Sequence, residues 1–356
     1  MSIQIIAEIG VNHNGDLDRA LALVDAATEA GADVVKFQTF RAAQLAAARA
    51  GKAEYQKHTT NASESQLDML QRLELSEAAH RRLLAHCMDR RIGFLSTPFD
   101  LESLRFLAED LDLATLKISS GDVTNGPLLL AAARTGRQLL LSTGMSTLDE
   151  VRDALKILTF GYVRSSERPT TPQLDECFAA GHDSLKGRVT LLHCTTEYPA
   201  PLAEVNLAAM ETLRHEFLLP VGFSDHSEGI VAPTAAAALG AVVIEKHFTL
   251  DCTLPGPDHK ASLEPAPFAA MVRSIRGVEL VLGDGRKAPT ASEIKNMPIA
   301  RKSLVATQTI STGESFTEGN LGAMRPGDGI SPMQYWRFLG RRADRDYAPG
   351  EAIRPA

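Results

Sequence analysis

Several signatures that would fix a function class are missing from this 356-residue sequence. Its four cysteines, Cys87, Cys177, Cys194 and Cys252, are scattered, with no CxxC pair. That spacing argues against a disulfide framework or a zinc knuckle and for reduced thiols in a cytoplasmic protein. There is no basic excess, since 37 Lys and Arg against 44 Asp and Glu give a formal charge of -7. Such a balance speaks against a nonspecific binder of nucleic acid or of an anionic membrane, although a single pocket can still be locally cationic. No apolar stretch approaches the ~20 residues that span a bilayer. The opening MSIQIIAEIG carries neither the basic region nor the long apolar run of a secretory signal. No GxGxxG follows the first strand-like run, which weakens a doubly wound dinucleotide-binding sheet.

What is present is a repeated unit. Short apolar runs at 3–9, 33–39, 93–99, 115–120, 139–143, 189–195, 221–224 and 242–248 alternate with amphipathic stretches such as LDRALALVDAATEA and TLDEVRDALKIL. Gly31, Gly93, Gly136 and Gly240 stand where helices are expected to stop. Strands with little polar alternation, separated by helices, imply a parallel sheet covered on both faces. Eight such units over about 250 residues predict an α/β fold, a (β/α)8 TIM barrel. Two long excursions interrupt it, at 41–75 and 160–188, and long loops at a barrel mouth are often lids. The expected domain boundaries are a barrel over 1–283, a Gly/Pro-rich linker over 284–297 and a small β-rich module over 298–356.

In such a barrel the carboxyl ends of the strands converge on one mouth. There the sequence places Glu8 and the Asn12-His13-Asn14 loop, Lys36 and Gln38, Ser96 and Thr97, and Lys117 with Ser119, Ser120 and Asp122. The later strands add Ser142 and Thr143, His193 to Tyr198, Ser224-Asp225-His226 and Glu245-Lys246-His247. Two lysines among hydroxyls suit an anion carrying phosphate or carboxylate groups, and Gly121 and Gly144 allow close backbone approach. His226 and His247 end neighbouring strands, so their imidazoles can share a divalent ion such as Mn2+ or Mg2+. Glu8 is open to three roles: metal ligand, base, or partner of Lys36.

The blocks IIAEIGVNHNGDLDRA, ADVVKFQTF, FLSTPFD, LKISSGD, LSTGM, LLHCTTEYPAP, GFSDHSEG, IEKHFTL and PGPDHKASLEP resemble, in order, the sialic acid synthase family. That family comprises N-acetylneuraminate synthases and the similar N,N'-diacetyllegionaminate synthases. The tail ARKSLVATQTISTGESF…RPGDGISPMQYWRFLG resembles the family's small antifreeze-like (β-clip) SAF domain. The resemblance covers nearly the whole chain. It implies a transferase that condenses phosphoenolpyruvate with an N-acetylated mannosamine-type sugar and releases phosphate. N-acetylmannosamine, yielding N-acetylneuraminate, is the acceptor expected first, with 2,4-diacetamido-2,4,6-trideoxy-mannose as the alternative.

Carried over by position, the resemblance gives Lys36, Thr97, Lys117, Ser120, Ser142, Thr196 and Ser224 to phosphoenolpyruvate. It gives His226 and His247 to the metal, and Glu8, Gln38, Asp122, Tyr198, Asp258 and Arg301 to the sugar; as the strand-end carboxylate nearest the expected metal, Glu8 is also the candidate for moving the proton of the water or alkoxide. It further implies a domain-swapped homodimer, with Arg301 reaching the other subunit's acceptor, and no nucleic-acid or membrane partner. Asp122 replaces the Glu of many members and Thr196 the Asn of some. The rival classes are a Schiff-base aldolase acting through a barrel lysine and a non-catalytic, ice-interacting protein built on the tail.

Overall fold

A computed structural model of the chain describes residues 2–47, 50–52, 56, 60, 64–164 and 166–354. It divides into two compact units, Met1–Gly283 and Asp284–Ala356. The first contains eight strands: β1 (Gln4–Gly10), β2 (Val34–Thr39), β3 (Gly93–Pro98), β4 (Thr115–Ile118), β5 (Gln138–Ser142), β6 (Val189–His193), β7 (Val221–Asp225) and β8 (Val243–His247). They form one sheet in the order β3-β2-β1-β8-β7-β6-β5-β4, with parallel ladders. β3 and β4, at the ends of that order, pack side by side and bring the sheet round into a barrel. The expected barrel is therefore the observed one, with strand limits close to those of the apolar runs. Among the described residues no helix is long and apolar enough to cross a membrane.

Local sequence explains the alternation. In the helix Leu17–Glu29, Asp16 accepts from the amides of Asp18 and Arg19, and Ala20, Leu23, Val24 and Ala27 form the buried stripe. Gly31 then turns the chain at φ +89. Gly93 does not stop the next helix as expected, because Arg91 does so in the left-handed region at φ 58. Gly93 opens β3, where a Cβ would stand 2.9 Å from Val34 Cγ2.

Side chains of a closed barrel alternate between the interior and the helical layer. Ile5, Ala7, Val35, Phe37, Leu116, Leu191 and Phe223 face the helices in the main core. Ile6, Val34, Leu95, Leu140, Leu192 and Val243 fill the interior as a separate apolar layer. In β7 the corresponding residue is Gly222, whose Cβ would lie 2.6 Å from Val243 O and 2.7 Å from Leu192 Cδ2. Two residues further along each of these strands comes the mouth.

Of the excursion at 41–75, the helices Ala42–Leu45 and Gln66–Leu73 are described. Positions 48–49, 53–55, 57–59 and 61–63 of it lie outside the described residues. The excursion at 160–188 holds an additional helix, Thr171–Gly181, packed on Leu148–Val163; position 165 lies outside the described residues.

The second unit has an antiparallel pair, β9 (Ser303–Ala306) and β10 (Leu321–Met324), around a small core that includes Leu304, Ile310, Phe316, Phe338 and Tyr347. The stretch 284–297, read as linker, is not irregular throughout. Thr290 and Glu293 form a capping box that starts a helix, Ala291–Ala300.

Because Gly222 leaves no room for a methyl group, Gly222→Ala should lower the unfolding free energy by about 1–3 kcal/mol. An unchanged urea midpoint would show that the interior layer is loosely packed.

Candidate active site

Above the apolar layer, inward-facing residues change character abruptly. Ile6 is followed inward by Glu8, Val34 by Lys36, Leu95 by Thr97, Leu140 by Ser142, Leu192 by Cys194, Gly222 by Ser224 and Val243 by Glu245. With Lys117 from β4 they line a cavity of about 300 Å³, at the small end of the range for small-molecule sites.

At its floor sits a buried charge cluster. Glu245 Oε1 lies 3.1 Å from Lys117 Nζ, and Glu245 Oε2 lies 3.6 Å from Lys36 Nζ. Lys36 also meets Glu8 Oε2 at 2.9 Å and donates to Thr97 Oγ1 at 3.3 Å. Ser224 Oγ donates to Glu245 Oε1 at 2.7 Å.

Burial alone would raise the Glu245 carboxyl, but Lys117, Lys36 and the Ser224 hydroxyl outweigh it and hold it well below the usual range. Glu8, between only one ammonium and the Glu245 charge, is pushed up to about 7 by burial. Lys36 is raised because its two carboxylates overcome desolvation, whereas burial lowers Lys117. One firmly ionised carboxylate thus serves two ammonium groups, and Glu8 is poised near neutrality.

The hydroxyl side of the mouth is tightly built. Gly144 N donates to Ser120 Oγ at 3.0 Å, and a Cβ on Gly144 would meet Thr196 Oγ1 at 2.5 Å and Cys194 Sγ at 2.8 Å. Gly121 is different, since its Cβ would find only Ser119 Oγ at 3.7 Å. Ser142 Oγ and Thr196 Oγ1 are buried without a hydrogen-bond partner among the described residues.

On the other flank the rings of His226 and His247 stand 5.4 Å apart, and Tyr198 stacks on His226 at 4.2 Å. A carbonyl can only accept, so the 2.6 Å contact between His226 Nδ1 and Thr195 O places the proton on Nδ1. Nε2 is left as the acceptor, 3.3 Å from Tyr198 Oη. His247 Nδ1 is buried without a hydrogen-bond partner among the described residues, 3.9 Å from Asp258 Oδ2. Burial lowers His226 to about 4 and His247 well below its usual value, and raises Asp258 to about 6.

The structure therefore brings Glu8, Lys36, Gln38, Thr97, Lys117, Ser120, Ser142, Thr196, Tyr198, Ser224, His226, His247 and Asp258 to one cavity. Asp122 is outside its lining, with its carboxylate held by Ser119 Oγ at 2.6 Å and Asn125 Nδ2 at 3.0 Å. Arg301 belongs to the second unit, where it caps the helix Ala291–Ala300. Other strand-end candidates point outward by the same alternation. Ser96 bonds Thr39 at 2.7 Å, and Lys246 forms a fully buried pair with Asp225 at 2.6 Å. Asn12 pins the β1 loop to Phe248 O and Ser262 Oγ. Glu245, placed at the mouth by the sequence but given no role there, is the carboxylate that meets both lysines.

This geometry accompanies clear relationships. A family model described as the NeuB family matches residues 23–287, and an SAF domain model matches 301–356. The chain belongs to the NeuB family. It is 49% identical to an N,N'-diacetyllegionaminic acid synthase of Campylobacter jejuni, over 98% of each chain. It is 43% identical to a protein of the same name from Legionella pneumophila, over 99% of this chain and 94% of that one. A sialic acid synthetase structure from Leptospira borgpetersenii, in complex with citrate, is similar at 32% identity and TM-score 0.68, covering 83% of this chain and 90% of the other. This NeuB-family protein is an enzyme, and these two relatives, from Campylobacter jejuni and Legionella pneumophila, are named synthases.

Glu245→Gln in this NeuB-family enzyme would leave two buried ammonium groups short of a counter-charge, which should cost about 3–5 kcal/mol of stability. Inorganic phosphate should raise the melting temperature of the variant more than that of the wild type. An equal rise in both would show that Glu245 does not hold the lysines for an anion.

Proposed function

We propose that this enzyme condenses phosphoenolpyruvate with 2,4-diacetamido-2,4,6-trideoxy-mannose to form N,N'-diacetyllegionaminate and phosphate. The sequence motifs alone had put N-acetylmannosamine and N-acetylneuraminate first. The two relatives named for the diacetylated product, similar along nearly the full length, move the reading to the other sugar. The observation that carries the donor half is the pair of buried ammonium groups sharing Glu245, beside hydroxyls that lack partners. A dianionic enol phosphate supplies the missing charge and acceptors. Both lysines are ion-paired, which favours charge neutralisation over the free amine that Schiff-base chemistry needs.

In the reaction, C3 of phosphoenolpyruvate bonds to the aldehyde carbon of the open-chain acceptor, and the aldehyde oxygen gains a proton. Water adds at C2 and loses a proton. The bond from C2 to the phosphate oxygen then breaks, its electron pair leaving with phosphate, while the C2 hydroxyl gives up its remaining proton to the departing phosphate and becomes the keto group. Lys36 and Lys117 neutralise and position the donor's phosphate and carboxylate, with Thr97, Ser120, Ser142, Thr196 and Ser224 as hydroxyl contacts. Glu8, held near neutrality by burial, exchanges the proton of the water or alkoxide. Gln38, whose Nε2 donates to Glu8 Oε1 at 3.4 Å, together with Tyr198 and Asp258, faces the acceptor.

His226 and His247 suit a divalent ion such as Mn2+ or Mg2+, because both are neutral and the fixed tautomer of His226 turns a lone pair inward. Bound there, such an ion supplies Lewis acidity toward an acceptor oxygen. Among the described residues no group of three or more His, Cys, Asp or Glu is arranged for a metal, so His226 and His247 would hold the ion together with ligands from outside that set. A swapped homodimer in which Arg301 serves the acceptor of the other subunit belongs to the same proposal.

Phosphate release, assayed in parallel with the two sugars, should be faster with the diacetamido acceptor and should vanish after chelation and return with Mn2+ or Mg2+. Faster turnover of N-acetylmannosamine would overturn the acceptor, and full rate in chelated enzyme would overturn the metal. Glu8→Gln should lose about 10²–10⁴-fold in kcat while retaining phosphoenolpyruvate binding. Mixed with inactive Arg301→Ala, it should regain activity that neither variant has alone; failure to do so would count against the swapped dimer.

A further inference from the structure

The mouth of the barrel has two chemically different halves. Hydroxyls arrive from β4 to β7, through Ser119, Ser120, Ser142, Thr196 and Ser224. Above β1 to β3, beyond Glu8, Lys36, Gln38 and Thr97 and beside Gln56 and Gln66, the lining includes a run of apolar side chains. Val11 follows β1, Phe99 follows β3, and Leu45, Met69, Leu70 and Leu73 come from the helices Ala42–Leu45 and Gln66–Leu73 of the first excursion. These six residues line the same cavity and pack, with Phe40 and Ala42, in a cluster distinct from the barrel core.

The rim is held in place from several sides. Ser65 and Asp68 form a capping box at the start of Gln66–Leu73, and Glu74, just after it, accepts from Ala42 N at 2.9 Å, tying the two helices together. Arg41 pairs with Glu77 at 2.7 Å and Glu102 at 3.2 Å. Gly15 packs so closely on the helix that its Cβ would stand 2.3 Å from Arg72 O. Met69 and Leu73 are buried although they face the cavity. This is a preformed apolar surface rather than a loop waiting to adapt.

We infer that this rim, with Leu70 and Leu45 as its accessible members, reads the methyl groups at the far end of the acceptor and rejects hydroxyls there. The inference rests on the function proposed above. With the donor's anionic groups on Lys36, Lys117 and the hydroxyls of β4 to β7, the space left in the cavity for the rest of an open-chain sugar includes the rim. The two candidate acceptors differ at C4, acetamido against hydroxyl, and at C6, methyl against hydroxymethyl. At C6 the trideoxy sugar offers a methyl group where N-acetylmannosamine carries a hydroxyl, and at C4 its acetamido group carries a methyl beyond the amide where N-acetylmannosamine ends in a hydroxyl. Against an apolar wall a hydroxyl gives up water without a partner, whereas a methyl gains from burial. A single group of that size in such a pocket separates substrates by about 10–200-fold.

The test measures kcat/KM for phosphate release with three acceptors: 2,4-diacetamido-2,4,6-trideoxy-mannose, 2-acetamido-2,6-dideoxy-mannose and N-acetylmannosamine. Wild-type enzyme should rank them in that order. Leu70→Gln should compress the ranking at least tenfold by losing rate on the two deoxy sugars, with the KM for phosphoenolpyruvate unchanged. Leu45→Gln carries the same test should Leu70→Gln fail to fold. A wild type that prefers the diacetamido sugar, with variants that keep the ranking or lose all three substrates equally, overturns the rim and leaves the acceptor assignment standing. A wild type that prefers N-acetylmannosamine overturns the acceptor assignment and this inference with it.

Discussion

The arrangement depends on burying two ammonium groups and two carboxylates at the bottom of one cavity. Each of these charges alone would be too costly to remove from water. Glu245 makes the set tolerable because each of its oxygens lies near a different lysine, while Ser224 donates to the same carboxylate. Glu8 is the member left incompletely compensated, which is why its proton is loosely committed near neutral pH. The reactivity of the site and the strain of its electrostatics are one property.

The backbone geometry that makes this cluster possible is the two-residue side-chain period of a closed parallel barrel. Once Ile6, Val34, Leu95, Leu140, Leu192 and Val243 fill the interior, the next inward position on each strand is carried to the mouth. The sequence spends those positions on Glu8, Lys36, Thr97, Ser142, Cys194 and Glu245. The helices outside decide only whether the strands form. The layer beneath decides where the chemistry stands.

Much of this was legible in advance. Apolar runs and helix signals gave all eight strands, and the family blocks gave thirteen site residues that the fold brings into one cavity. What differed from expectation has a physical cause in each case. Being at a strand end does not say which face a side chain takes, so Ser96, Asp225 and Lys246 resembled site residues while facing the helical layer. Asp122 looked available because its local bonds to Ser119 and Asn125 depend on turn geometry that spacing does not reveal. The capping box at Thr290 and Glu293 was hidden by the Gly/Pro-rich composition around it. The apolar rim was out of reach because it is assembled from residues far apart in the chain.

Gly144 carries a consequence for how such an enzyme can diversify. With Thr196, Cys194 and Ser120 all within a side chain's reach of it, the anion pole has almost no steric slack. Novelty at that half is confined to atom-for-atom exchange. The opposite half hangs on an inserted pair of helices whose inner faces can be rewritten without moving a strand. Selection for a new sugar would then leave its marks between residues 41 and 75 and spare the machinery that handles the enol phosphate.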